Sequence, residues 1–120
     1  MGTILIVDDV QTDRELLGKV AQSAGHNVVY ATDGDEAIER AKQTKPSLIF
    51  LDVVMTRMNG FNACRKLKQD PDTSSIPVVL VTSKSTESDR FWGQKQGADD
   101  HIGKPFTPAT VLDALRRLAR

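Results

Sequence analysis

The chain has 120 residues, the size of one domain, enough to bury about two-thirds of its unfolded surface without disulfides or a structural metal. Sixteen Lys and Arg balance sixteen Asp and Glu, so no overall field favours nucleic acid or an anionic membrane. The single cysteine, Cys64, excludes an internal disulfide, and the apolar runs are too short for a signal peptide or a spanning helix; a reducing, cytoplasmic setting is expected.

In chain order, apolar strand-like runs alternate with helical periodicity. Thr3–Val7 reads as the first strand, and Leu16, Leu17, Val20, Ala21 and Ala24 form a helical stripe stopped by Gly25. A second strand over Val28–Ala31 precedes a helix capped by Asp33, with Glu36 as capping-box partner and Ala37, Ile38 and Ala41 facing the core. Leu48–Leu51 and Val78–Val81 are apolar enough to be central strands. The third helix follows Gly60 and stops before Pro71, and the fourth stops near Gly97. Asp100–Ile102 is the fifth strand. Thr107-Pro108 starts a last helix with Val111, Leu112, Leu115 and Leu118 as its stripe. Five βα units imply right-handed crossovers and a parallel sheet covered on both faces.

Four apolar runs end in groups with chemistry: Asp8 and Asp9 after ILIV, Asp52 after LIFL, Thr82 after VVLV, and Lys104 after HIG. Parallel strands in an open α/β sheet carry their chemistry at their carboxyl ends, so one sheet edge is expected to collect all five. Unneutralised, the acids resist ionisation together. Two unit charges about 4 Å apart repel by roughly 4 kcal/mol at an effective dielectric near 20, and three acids facing one lysine leave a net charge of about −2. A divalent cation cancels that excess, and an all-oxygen ligand set points to Mg²⁺. Asp52 then reads as a nucleophile that forms an aspartyl phosphate. Lys104 and the Thr82 hydroxyl are suited to hold the phosphoryl oxygens as charge builds during transfer.

With these residues and spacings, the segment from Ile4 to Leu118 resembles the receiver domain of bacterial two-component response regulators, of the stand-alone chemotaxis type. The resemblance implies a doubly wound (βα)5, flavodoxin-like α/β fold with a parallel five-stranded sheet of order 2-1-3-4-5. It further implies Asp52 as phosphoacceptor, Asp9 as the main Mg²⁺ ligand with Asp8 assisting, and the backbone carbonyl of Val54 as a third protein ligand. Thr82 and His101 stand at the family's switch positions, and Lys104-Pro105 falls where the family has a cis peptide. Two segments, Asp52–Phe61 and Trp92–Ala98, are similar to regulators of type IV pilus twitching motility. Trp92 also has a plain structural reading, packing on its helix while Gly97 ends it.

Departures from the family pattern carry their own expectations. Thr56 stands where proline is usual, so the loop after Asp52 is expected to be less rigid. His101 replaces the usual aromatic switch residue. It fills that space only partly, and because imidazole titrates near neutrality the readout is expected to vary with pH; the other reading is an exposed histidine on a strand edge with no switching role. Val54 and Lys84 flank the position of the water that attacks an acyl phosphate; neither is suited to orient it, so self-dephosphorylation is expected to be slow. His26, Cys64, Met55 and Met58 read as packing or turn residues, and Arg116, Arg117 and Arg120 as solvated charge on the last helix.

Residues 1–120 are thus expected to form one receiver domain without an output domain, a phosphoacceptor signalling protein that catalyses only its own phosphorylation and slow dephosphorylation. The implied partners are a histidine kinase as phosphodonor and an effector protein on the face of the fourth helix, fifth strand and fifth helix. No nucleic-acid or membrane partner is expected, and the chain is expected to be a monomer. The alternatives are a phosphate sink for a shared kinase and a phosphate-independent docking module. A haloacid-dehalogenase-like phosphatase would need an acid where Val54 stands. A flavin-binding domain of the same topology would need a loop of hydroxyls and glycines to cradle the cofactor's phosphate.

Overall fold

Five βα units follow one another without interruption: β1 (Thr3–Val7), α1 (Gln11–Ser23), β2 (Asn27–Ala31), α2 (Gly34–Thr44), β3 (Leu48–Leu51), α3 (Gly60–Gln69), β4 (Val78–Thr82), α4 (Glu87–Lys95), β5 (Asp100–Gly103) and α5 (Pro108–Leu118). The computed structural model describes residues 2–55 and 57–119. The expectation about Thr56 and the charge of Arg120 lie outside the described residues.

All strand pairs are parallel, in the order β2-β1-β3-β4-β5. Because both faces are covered, β1, β3 and β4 read as unbroken apolar runs rather than alternating ones. Alternate residues feed two separate cores. Leu5, Val7, Ile49, Leu51, Val78 and Leu80 pack with Ala37 and Ala41 of α2 and with Ala63, Cys64 and Leu67 of α3. On the opposite face Ile4, Ile6, Leu48, Phe50, Val79, Val81 and Ile102 pack with Leu17 and Ala21 of α1 and with Val111, Ala114 and Leu115 of α5. The small residues on α2 and α3 let those helices lie close to the sheet.

Helix ends follow the capping chemistry in the sequence. The side chains of Asp33, Asn59, Thr86 and Thr107 accept backbone N–H bonds at the starts of α2, α3, α4 and α5, and Pro108 opens α5. Gly25 and Gly97, past the ends of α1 and α4, have φ of 91° and 96°, a conformation in which a Cβ is strained. Glu36 does not close the expected capping box. Its carboxylate accepts instead from the backbone N and hydroxyl of Thr32, at 2.7 and 3.2 Å.

Three apolar residues differ from their expected places. Leu16 and Leu112 face solvent, because Leu17 and Val111 take the inward positions on α1 and α5. Trp92 is 52% exposed. Only Gly93 of α4 is buried, where a Cβ would come within 2.7 Å of the Leu80 side chain, so α4 seats on the sheet through its glycine and turns the indole outward.

Candidate phosphoacceptor and metal site

The strand register sets the site. Val7 lies opposite Leu51, so Asp8 and Asp52 are the next residues off two neighbouring strands, and the Asp52 amide donates to the Val7 carbonyl at 2.9 Å. Thr82 ends β4 opposite Gly103 of β5, which places Lys104 one residue beyond. The Lys104 amide donates to the Thr82 carbonyl at 3.0 Å, continuing the ladder past the strand ends. The Lys104–Pro105 peptide is cis.

Carboxylate oxygens of Asp8, Asp9 and Asp52 lie within 4.8 Å of one another. Asp8 and Asp52 are buried, and Asp9 is the most open of the three. Lys104 reaches into the cluster, its Nζ donating to Asp8 Oδ2 at 2.7 Å and to Asp52 Oδ2 at 3.2 Å. Burial is the largest influence on Asp8. Together with the charge of Asp52 it outweighs the Lys104 bond and raises the Asp8 carboxyl above its ordinary range. Burial also opposes the Lys104 charge, but its hydrogen bonds to Asp13 and Asp8 and the nearby charge of Asp52 prevail and hold the ammonium above the usual lysine range.

The donor set fits the expected cation. Three carboxylates with hard oxygen ligands, one of them resisting ionisation because it is buried, are what Mg²⁺ takes when it keeps several waters. Asp8, Asp9 and Asp52 would hold it from their side chains. Val54 is 50% exposed in the following loop, and its backbone N donates to Asp52 Oδ1 at 3.2 Å, which orients the Asp52 carboxylate.

Thr82 is fully buried, and its hydroxyl accepts from the Lys84 backbone N at 3.1 Å. Val54 and Lys84 line one open cavity of about 310 Å³ beside Asp52, together with Met55, Asn59 and Phe61. His101 points inward from β5. Its Nε2 is 2.8 Å from the Lys84 carbonyl oxygen, and its Nδ1 is buried with no hydrogen-bond partner among the described residues. With that carbonyl as acceptor, Nε2 carries a proton. Burial lowers its pKa, so titration moves to the acid side of the neutral range expected from sequence.

Two residues at the site escaped the sequence reading. Asp13 and Arg14 project from the first turn of α1. Asp13 Oδ2 accepts from Lys104 Nζ at 2.8 Å, and Arg14 Nη1 donates to the Asp8 carbonyl at 2.9 Å. The available signal was an acid five residues after Asp8 in the turn that follows an acidic strand end. Of the residues read as structural, Cys64 is buried, with its thiol pushed up to about 12 by burial.

The fold and this edge define a class. Residues 4–116 match the model of the response regulator receiver domain, and the chain belongs to that family. It is 42% identical to protein PilH of Pseudomonas aeruginosa over 115 residues, 96% of this chain and 95% of that one. It is also 40% identical to the response regulator PleD of Caulobacter vibrioides over 98% of this chain, which corresponds to 26% of PleD. Among solved structures it superposes on the chemotaxis protein CheY4 of Vibrio cholerae with a TM-score of 0.92, at 30% identity and 98% coverage of both chains.

Proposed function

We propose that this receiver domain accepts a phosphoryl group from a histidine kinase onto Asp52 in a Mg²⁺-dependent step and signals by phosphorylation-dependent protein binding. The observation that carries the reading is the convergence of Asp8, Asp9, Asp52, Thr82 and Lys104 at one sheet edge, with the Lys104 ammonium bonded to Asp52.

Mg²⁺, when bound, supplies the charge that lets an anionic donor approach three carboxylates. The chain's own groups do the rest. Val54 N fixes one oxygen of Asp52, leaving the carboxylate oriented to form the bond to phosphorus as the donor's leaving atom departs with its electron pair. Lys104 turns from Asp52 to a phosphoryl oxygen, since the acyl phosphate removes the carboxylate charge it paired with. The Thr82 hydroxyl is free to donate, its lone pair being the part used by Lys84 N. Val54 offers no side-chain hydrogen bond to an attacking water and Lys84 lies across the same cavity, which supports a long-lived phosphate.

Effector binding is assigned to the face of α4, β5 and α5, where movement of Thr82 is felt through Lys84 and the His101 ring. The likeness of Asp52–Phe61 and Trp92–Ala98 to twitching-motility regulators supports a place in the control of type IV pili. The test is amide NMR of the protein loaded by acetyl phosphate with Mg²⁺. Shifts spreading from residues 82–86 into α4 and β5, and absent in Asp52→Ala, are expected. Shifts confined to the acidic loops would overturn the signalling face and favour a phosphate sink.

A further inference from the structure

An ammonium has three N–H donors, and those of Lys104 have three carboxylate partners: Asp8 at 2.7 Å, Asp13 at 2.8 Å and Asp52 at 3.2 Å. The three partners differ in place and duty. Asp8 belongs to the metal cluster and Asp52 is the nucleophile of the proposed reaction, and both side chains are almost fully buried. Asp13 belongs to neither group. Its side chain is 28% exposed at the first turn of α1, and with Lys104, Leu16, Pro105 and Phe106 it walls an open cavity of about 350 Å³.

Loading the site redistributes these bonds. A cation on Asp8 takes that carboxylate's charge, and phosphorylation removes the charge of Asp52, so two of the three acceptors weaken. Asp13 alone keeps its full hold. A phosphoryl oxygen must therefore draw Lys104 against the pull of an intact carboxylate on the outer side of the site. We propose that Asp13 is a positioning residue for phosphoryl capture: it holds the Lys104 ammonium outward and withholds part of that charge from Asp52 and from the incoming phosphoryl group. The inference rests on the reading of Asp52 as phosphoacceptor, and it assigns to this chain an acid that tunes both cation binding and transfer through the lysine.

In the transfer step an Asp52 Oδ forms its bond to phosphorus while the acetate oxygen of acetyl phosphate leaves with the electron pair. Asp13→Asn frees Lys104 to follow that charge. Uptake from acetyl phosphate at saturating Mg²⁺ is expected to rise on the order of fivefold, as befits a charged hydrogen bond redistributed in a half-open site rather than lost. Without phosphodonor the same change turns Lys104 inward onto Asp8 and Asp52, where it competes with the cation, so Mg²⁺ binding measured by calorimetry weakens.

The decisive experiment is a double-mutant cycle with Lys104→Met, or with Lys104→Gln if the methionine variant fails to fold, read by both phosphate uptake and Mg²⁺ affinity. The proposal requires that Asp13→Asn act in the native background and lose its effect once the lysine is gone. Equal effects in both backgrounds, or no acceleration and no weakening in the native one, overturn it. Absence of uptake in the native chain, with the coupling in Mg²⁺ affinity intact, would sink the phosphoacceptor reading and leave the Asp13–Lys104 coupling standing.

Discussion

His101 brings burial, hydrogen bonding and charge together in one side chain. The ring donates Nε2–H to the Lys84 carbonyl and buries Nδ1 with no hydrogen-bond partner among the described residues. A second proton would sit on that buried nitrogen with no acceptor for its hydrogen bond among the described residues. Burial therefore depresses the folded-state pKa, while the unfolded chain protonates near pH 6.5. Asp89 and Asp100 favour the charged ring and Arg90 opposes it, each less strongly than burial acts. The contribution is complete above about pH 6.5 and is lost as pH falls through the depressed value. Urea unfolding should show native protein losing more stability between about pH 7 and pH 5 than His101→Phe does. Equal losses in the two proteins would mean that the ring is free to protonate where it stands.

At the scale of elements, the start of α3 is pressed against the end of β3. A Cβ on Gly60 would fall 2.1 Å from the Asp52 carbonyl oxygen and 2.7 Å from Val53 Cα, both backbone atoms that cannot turn aside. Gly60→Ala must move either the helix or the strand end that presents Asp52. Such overpacking costs about 1–3 kcal/mol, and because the strain falls on the backbone of the proposed nucleophile, phosphate uptake should slow as well. Unfolding midpoints and acetyl phosphate kinetics check the two effects, and an unchanged uptake rate would place all the movement in α3. The elements also explain which residues could be placed from sequence. Asp8, Asp52, Thr82 and Lys104 were legible because each follows an apolar run, and parallel strands leave little freedom in where such residues emerge. Asp13 and Arg14 were not, because a helix residue's reach depends on how the helix docks, which periodicity does not specify. Trp92 was misplaced for a related reason: α4 meets the sheet through Gly93, and an apolar ring in its sequence carries no mark of which side that is.

For the whole molecule, the sheet separates two cores that share no side chain. Leu17 of α1 is buried in one and Leu67 of α3 in the other. Leu17→Ala and Leu67→Ala should each cost about 2–5 kcal/mol, and the double variant should lose the sum within about 0.5 kcal/mol. A marked departure from additivity in urea unfolding would show that the sheet transmits repacking from one face to the other. The same division bears on function. The acidic cluster sits at the strand ends, and Lys84 and His101 link Thr82 to Arg90 of the fourth helix, the connection through which the proposed signalling would reach one face.

The central claim, that Asp52 is a Mg²⁺-dependent phosphoacceptor, is tested most directly by intact mass after incubation with acetyl phosphate and Mg²⁺. The account predicts a gain of one phosphate in the native chain, lost on chelation of Mg²⁺ and lost in Asp52→Ala. A folded, Mg²⁺-binding chain that gains nothing, or an Asp52→Ala variant that gains as much as the native protein, would contradict it.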